Sequence, residues 1–304
     1  MFQPICPSPP FLPQWRTVVK LAGVAALLLC ACSKQNEAGG ANSPQVPVTK
    51  EDQLIAQARA ALGPEDKLLA VKTLSLSGKV FDDKDQLLGT IQFIFKKPAH
   101  QRSEFHAAGK VAVIEGSNGL EGWLLTSDTA GKLKFTVTKA GPETDNVYTA
   151  MENLYFYRAT ELVRGSEVTS EGPISYRNNP CWKVSFHYPD SVTYVRYFDK
   201  TTGELRGTIL QPSGTEFVEE GKQTIAGLTF PTMLHNYTKD GDLTQTVKFD
   251  KIVVNAPIDD RVFEMPSLIA LRAAVEKAAA AGKAATTPSQ TTAQPLPALP
   301  SATK

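Results

Sequence analysis

From residue 73 onward the apolar positions of this chain recur mostly every second residue. "TLSLSGKVF" (73–81) sets Leu74 and Leu76 on one face and Ser75 and Ser77 on the other. "GTIQFIFKKP" (89–98) puts Ile91, Phe93 and Phe95 in line after the turn-rich "DDKDQ". Such alternation predicts half-buried strands. The same reading gives strands at 101–107, 110–115, 122–127, 133–138, 166–171, 174–177, 181–188, 191–198, 205–211, 214–220, 223–225, 228–237 and 243–254. Turn signals stand between them: "PD" at 189–190, "TTGE" at 201–204, "PSG" at 212–214 and "KDGD" at 239–242. Two stretches carry the helical period instead. "QLIAQARAAL" follows acidic Glu51 and Asp52, is stopped by Gly63 and Pro64, and leads to a second short helix at 65–71. "DNVYTAMENLYFYRATELV" (145–163) is aromatic and free of Gly and Pro, and predicts one long helix.

Many short strands at this spacing argue for a mainly β, antiparallel sheet or barrel, with helices covering one face. Trp123, Trp182, Phe186, Tyr188, Tyr194, Phe217, Tyr237 and Phe249 lie mostly at alternating strand positions. An aromatic sheet face of this kind either packs as a solid core or curls around an apolar cavity. Periodicity alone leaves both open.

The two ends of the chain read differently. "LAGVAALLLCA" (21–31) is uncharged but shorter than the roughly 20 residues that cross a bilayer. Arg16 and Lys20 precede it without an acidic residue, the order of a secretory signal. Leu29, Cys30 and Ala31 before Cys32 resemble the lipobox of bacterial lipoproteins, in which the cysteine is acylated and becomes the first residue. Cys30 has bulky leucines before it and leaves with residues 1–31; its place two before the acceptor is the departure from that pattern. Residues 32–48 are polar and rich in Gly and Pro, which suits a flexible tether. Ser33, in place of the Asp that tends to retain such proteins in the inner membrane, favours the outer membrane, with the folded part facing the periplasm. At the other end, 267–281 favours a short Ala-rich helix, and the Thr/Pro/Ala tail to residue 304 cannot bury enough apolar surface to order itself. Residues 49–266 remain as one domain.

Charge and chemistry narrow the reading. Removing Arg16 and Lys20 takes the formal net charge from +1 to −1, which offers no footprint for nucleic acid. Cys181, in "PCWKVSF", has no partner for an intramolecular disulfide once Cys32 is acylated, and reads as a half-buried strand residue. His100, His106, His187 and His235 are dispersed, without metal-ligand spacing, and no cofactor-binding motif or nucleophile pattern appears. The Asp82–Asp83 and Asp259–Asp260 pairs fall in turns. No catalytic residue, metal site or cofactor is expected, and the chain reads as a non-enzyme.

Four short motifs then bring a family into view. "FIFKKP" (93–98), "NGLEGW" (118–123), "YFDKTTGEL" (197–205) and "IDDRVFEMP" (258–266) stand in the order of matching motifs in the LolA/LolB superfamily of periplasmic lipoprotein carriers and receptors, which the chain resembles over about 215 residues. The resemblance implies a single incomplete eleven-stranded antiparallel barrel, covered by helices, with an apolar cavity for acyl chains of lipids or lipoproteins. Lined from the strand pattern, that cavity would use Leu74, Leu76, Ile91, Phe93, Phe95, Trp123, Leu125, Trp182, Val184, Phe186, Tyr194 and Phe249. The carrier's lid-latching arginine corresponds to Lys97, which keeps a charge but lacks the planar fork that binds several acceptors at once. "DDKDQLLG" (82–89) is the nearest counterpart of the receptor's apolar loop, though a hairpin turn fits it better. The expected function is an outer-membrane-anchored protein that binds acyl chains, in lipoprotein sorting or lipid transfer. An anchored sensor or assembly module binding another envelope protein is the alternative.

Overall fold

A computed structural model describes residues 48–107, 110–127, 132–138 and 145–266. Cys30, Cys32, most of the tether and the tail helix lie outside those residues. Thirteen strands form one antiparallel sheet in the order β6-β5-β4-β3-β2-β1-β15-β14-β11-β10-β9-β8-β7, and a two-stranded β12-β13 sheet stands apart. β1 to β6 are Thr73–Phe81, Leu87–Lys96, His100–Ala107, Lys110–Ser117, Gly122–Ser127 and Leu133–Thr138. β7 to β11 are Glu167–Tyr176, Asn179–His187, Thr193–Asp199, Leu205–Gln211 and Thr215–Glu220. β12 to β15 are Gln223–Ile225, Leu228–Phe230, Met233–Tyr237 and Leu243–Val254. The helices are α1 (Lys50–Leu62), α2 (Glu65–Ala70) and α3 (Asp145–Tyr155).

The sheet is open, with β6 and β7 at its two ends, as an incomplete barrel requires. It has thirteen strands where the resemblance implied eleven, because nearly every alternating run of the sequence enters it. Only the three-residue β12 and β13 are kept out. Their turn, Ala226–Gly227, has positive φ at both residues, and Pro231 has no N–H to carry β13 on into β14. The single strand read at 228–237 is therefore two. In the opposite sense, the runs at 166–171 and 174–177 are one strand, β7. Gly172, at φ 97°, lets it bulge past β8 and then resume register.

The chain divides into two compact units. The first runs to Val71 and adds Phe81–Gln86 and Tyr155–Phe249; the second holds Lys72–Val80, Leu87–Leu154 and the residues from Asp250. In the first, α1 begins on a capping box in which Thr49 and Asp52 satisfy each other's backbone N–H. It ends at Gly63, whose φ of 152° no other residue adopts readily. Leu54, Ile55 and Ala58 are buried along one stripe of α1. Gln57 reaches the Thr201 carbonyl and Glu51 accepts from the Ser170 N–H, which fixes the helix against the β7 and β9–β10 loop regions.

The long helix expected over 145–163 stops at Tyr155. Phe156 and Tyr157 take left-handed φ values of 49° and 72°, and a single 3-10 turn, Ala159–Leu162, follows. No Gly or Pro marks this break, so nothing local announces it.

In the second unit, β2 to β6 form a meander in continuous register but for one bulge beside Phe105. The "NGLEGW" turn is closed by Asn118, whose Oδ1 accepts from the N–H groups of Leu120 and Glu121. Gly116 lies opposite Trp123, and a Cβ there would come within 2.4 Å of the indole.

Candidate functional site

Cross-strand register assigns every strand residue to a face. In the first unit, Trp182, Val184 and Phe186 of β8 pair with Phe198, Arg196 and Tyr194 of β9. Arg196 pairs with Thr208, Thr208 with Phe217, Phe217 with Asn236, and Asn236 with Gln245. Leu234 joins Glu219 to Val247, and Phe249 follows Val247 two residues on. All of these share one face. Cys181, Lys183, Val195, Tyr197, Ile209 and Glu216 occupy the other.

The aromatic face is fully buried at one end and half buried at the other. Val184, Phe186 and Phe198 are fully buried. The left-handed turn at Phe156 and Tyr157 sets the Tyr157 ring 5.1 Å from Phe198 and 6.3 Å from Phe186. Tyr194 is buried edge-on to Tyr188, and Trp182 is half buried under the ammonium groups of Lys50 and Lys200. Towards β11, β14 and β15, by contrast, Phe217, Leu234 and Phe249 are only half buried.

A polar row crosses this apolar face. Arg196 is 6% exposed, with its guanidinium 5.0 Å from the Tyr157 ring, 4.6 Å from Phe186 and 5.3 Å from Tyr194. Thr208 and Asn236 are each 9% exposed, and no hydrogen-bond partner meets Asn236 Oδ1. Glu219 lies within electrostatic reach of Arg196. It is exposed as a residue, yet lost solvation pushes its carboxyl up to about 7, against the pull of that cation.

In the second unit the register separates residues that the sequence had grouped. Ile91 pairs with Phe105, Phe105 with Val113 and Val113 with Thr126; Phe93 and Phe95 lie on that same face, their rings stacked 6.4 Å apart. Trp123 and Leu125 are on the opposite face, opposite Gly116 and Ile114. There the closing segment covers them. Lys96 binds the Ile258 carbonyl and Asp260, Arg102 binds the Val262 carbonyl, and Trp123 Nε1 donates to the Phe263 carbonyl at 3.3 Å. Met265, Phe135 and Leu133 pack against Ile114, Trp123 and Leu125. Ile91, Phe93, Phe105, Val113 and Leu124 are half buried on the first of these faces, with Phe95 buried at its end. Leu74 and Leu76 are buried together on one face of β1.

Lys97 sits in the turn after β2, half buried, its N–H donating to the Lys72 carbonyl. A fork that ties backbone carbonyls exists elsewhere, at Arg59, which the sequence reading passed over. Arg59 is 2% exposed, grips Glu65 through Nε and Nη2, and donates from Nη1 to the carbonyls of Tyr155 and Phe156 at 2.7 and 2.6 Å. The available signal was an arginine in the buried stripe of α1, four residues after Ile55, with a glutamate six residues on.

Cys181 is fully buried rather than half buried. It packs with Tyr176, Val195 and Tyr197, and burial raises its thiol above the ordinary range. The histidines keep to separate partners: His187 beside Thr169 and Thr193, His235 beside Thr246 and Glu220, His106 beside Glu104. Asp82 accepts from two turn N–H groups, Asp259 pairs with Arg261 and Asp260 with Lys96. Among the described residues no cluster of His, Cys, Asp or Glu could hold a metal ion. Two shallow hollows, of about 550 Å³ at Ala56, Ala60, Gly63, Pro64, Glu65 and Arg158, and of about 370 Å³ beside Ile174 and Pro180, involve none of the twelve expected lining residues.

No protein-family model and no curated protein matches the chain. Solved structures do. A LolA superfamily protein from Nitrosomonas europaea is 10% identical, with a TM-score of 0.47 over 71% of this chain and 98% of that one. A DUF1329 family protein from Desulfovibrio piger is 9% identical, with a TM-score of 0.47 over 70% and 97%. A putative outer membrane lipoprotein-sorting protein domain from Vibrio parahaemolyticus is 10% identical, with a TM-score of 0.44 over 70% and 95%.

Proposed function

We propose that this chain is a lipid-anchored envelope protein that binds acyl chains of lipids or lipoproteins on the half-buried apolar faces of its strands. One observation supports the reading above others. Each unit keeps an apolar strand face only half buried: Ile91, Phe93, Phe105, Val113 and Leu124 in one, Phe217, Leu234 and Phe249 in the other. Apolar strand residues that the chain does not fully bury keep some surface against which an apolar ligand can pack. Anchoring through Cys32 in the outer membrane, with lipoprotein sorting or lipid transfer as the task, belongs to the same proposal. It rests on the lipobox-like "LCAC" and on Ser33.

A second reading, an anchored module that binds another envelope protein, has its own support. β7 ends the sheet and exposes Ile174 at 45% beside Pro173 and Pro180, an apolar spot against which a partner can pack. The two readings part in one experiment. Full-length protein extracted gently from bacterial membranes is examined intact by native mass spectrometry. The first reading expects an acylated Cys32 and bound lipid whose release leaves the apo mass. Apo protein alone, co-isolated with a second polypeptide, supports the alternative instead.

A further inference from the structure

The polar row on the aromatic face of the first unit is not explained by packing. Arg196, Thr208, Asn236 and Gln245 sit in successive strands β9, β10, β14 and β15, with Phe217 between them on β11. An apolar face gains nothing from them, since burying an amide or hydroxyl costs free energy unless it is hydrogen-bonded. Asn236 pays that cost visibly: its side chain is nine-tenths buried and its Oδ1 faces no donor of the protein. Arg196 lies against three aromatic rings and within reach of the Glu219 carboxyl. What the row still requires is a neutral hydrogen-bond donor at Asn236. Immediately beside that atom, Phe217, Leu234 and Gln245 retain accessible surface.

We infer that this row receives the uncharged, hydroxyl-bearing head of an acyl lipid. Its hydroxyl donates to Asn236 Oδ1 while the chain lies against Phe217, Leu234 and Phe249. The inference rests on the acyl-binding reading above and adds the chemistry of the head group. It also sets a direction: a head without a donor leaves Asn236 Oδ1 unmet.

The test uses the full chain and three probes of equal chain length: monopalmitoylglycerol, palmitate and methyl palmitate. Their competition is read by native mass spectrometry. The expected ranking puts monopalmitoylglycerol first, about five- to tenfold ahead of the methyl ester, the range one buried hydrogen bond supplies. Asn236→Leu, similar in volume, is expected to reduce that ratio to near one while leaving methyl palmitate binding in place. Equal binding of all three probes to the unaltered chain overturns the head-group site but keeps the acyl reading. A preference for palmitate overturns it in favour of an anion site. Binding of none overturns the acyl reading itself. The ranking on the unaltered chain decides the matter even if the variant fails to fold.

Discussion

Strands β2 to β5 carry apolar residues on both faces, and the two faces have different fates. Trp123, Leu125 and Ile114 are buried with Met265 of the closing segment packed against them, and the Trp123 indole donates to the Phe263 carbonyl. Ile91, Phe93, Phe105, Val113 and Leu124, on the reverse of the same strands, stay half buried. Composition does not separate them, since both faces are rich in aromatic and branched residues. The difference lies in what crosses each face. The closing segment is held down by polar contacts that only one face offers: Lys96 and Arg102 to carbonyls, and the indole N–H to Phe263. The other face sets Ser103, Glu115 and Thr126 among its apolar residues. The first unit repeats the contrast along a single face, closed by Tyr157 at Phe186 and Phe198 and only half buried at Phe217, Leu234 and Phe249.

The largest effect is expected where the cover is anchored. Phe263 is 1% exposed, and Phe263→Ala removes a fully buried ring, a change that costs about 3–5 kcal/mol. Thermal unfolding should show a fall in Tm of many degrees, and the fluorescence of Trp123 should shift towards that of an indole in water. A Tm within a degree or two of the parent would mean that the closing segment is not the lid of this face, and the contrast would collapse.

How much of this was legible beforehand follows from where the information resides. Strands at 101–107, 122–127, 133–138, 205–211 and 243–254 were readable because alternation is local and turns punctuate it. The four family-like motifs fell on a strand end, a turn, a hairpin and the closing segment. The faces were not readable in the same way. Within one strand, period two says which residues travel together; it does not say whether Trp123 shares a side with Phe93. That depends on register through β3 and β4, two strands away. The halt of α3 at Tyr155 and the carbonyl-binding role of Arg59 were hidden for a related reason. Two left-handed residues that are not glycine persist only because distant groups hold them, Arg59 among them.

Glu219 gives a smaller effect and sharpens the contrast within the first unit. A carboxyl held at about 7, above its ordinary value near 4.5, makes the folded state bind a proton that the unfolded state releases. Its stabilising protonation is fully present below pH 4.5 and is lost as pH rises through 7; above that, the folded chain carries a poorly solvated charge. Glu219→Gln should therefore be the more stable protein at pH 8, by about 1 kcal/mol once solvent screening at an exposed residue is allowed for. That is about 2–4 °C in Tm for a chain of this size. The advantage should fade on lowering the pH towards 5. An advantage that is the same at pH 5 and pH 8 would show that the carboxyl is ordinarily solvated and that this end of the face is not recessed.

Phe93 should give the smallest change in stability and the clearest change in binding. Its ring is half buried, stacks on Phe95 and has Ser103 opposite it, so little packing is lost when it is removed. A half-exposed ring returns only part of the ~1.5–3 kcal/mol that full burial contributes. Phe93→Ala should unfold within about 1 kcal/mol of the parent, far from Phe263→Ala, although both replace a phenylalanine in the same unit. If the open face is where acyl chains lie, the same variant should lose several-fold affinity for a fluorescent fatty-acyl probe, because the removed ring then contributes only in the complex. Equal destabilisation by the two substitutions would mean that the open face is core after all. A variant that leaves both stability and probe binding unchanged would place the ligand surface off β2 and leave the β11–β15 end as the one on which the binding proposal stands.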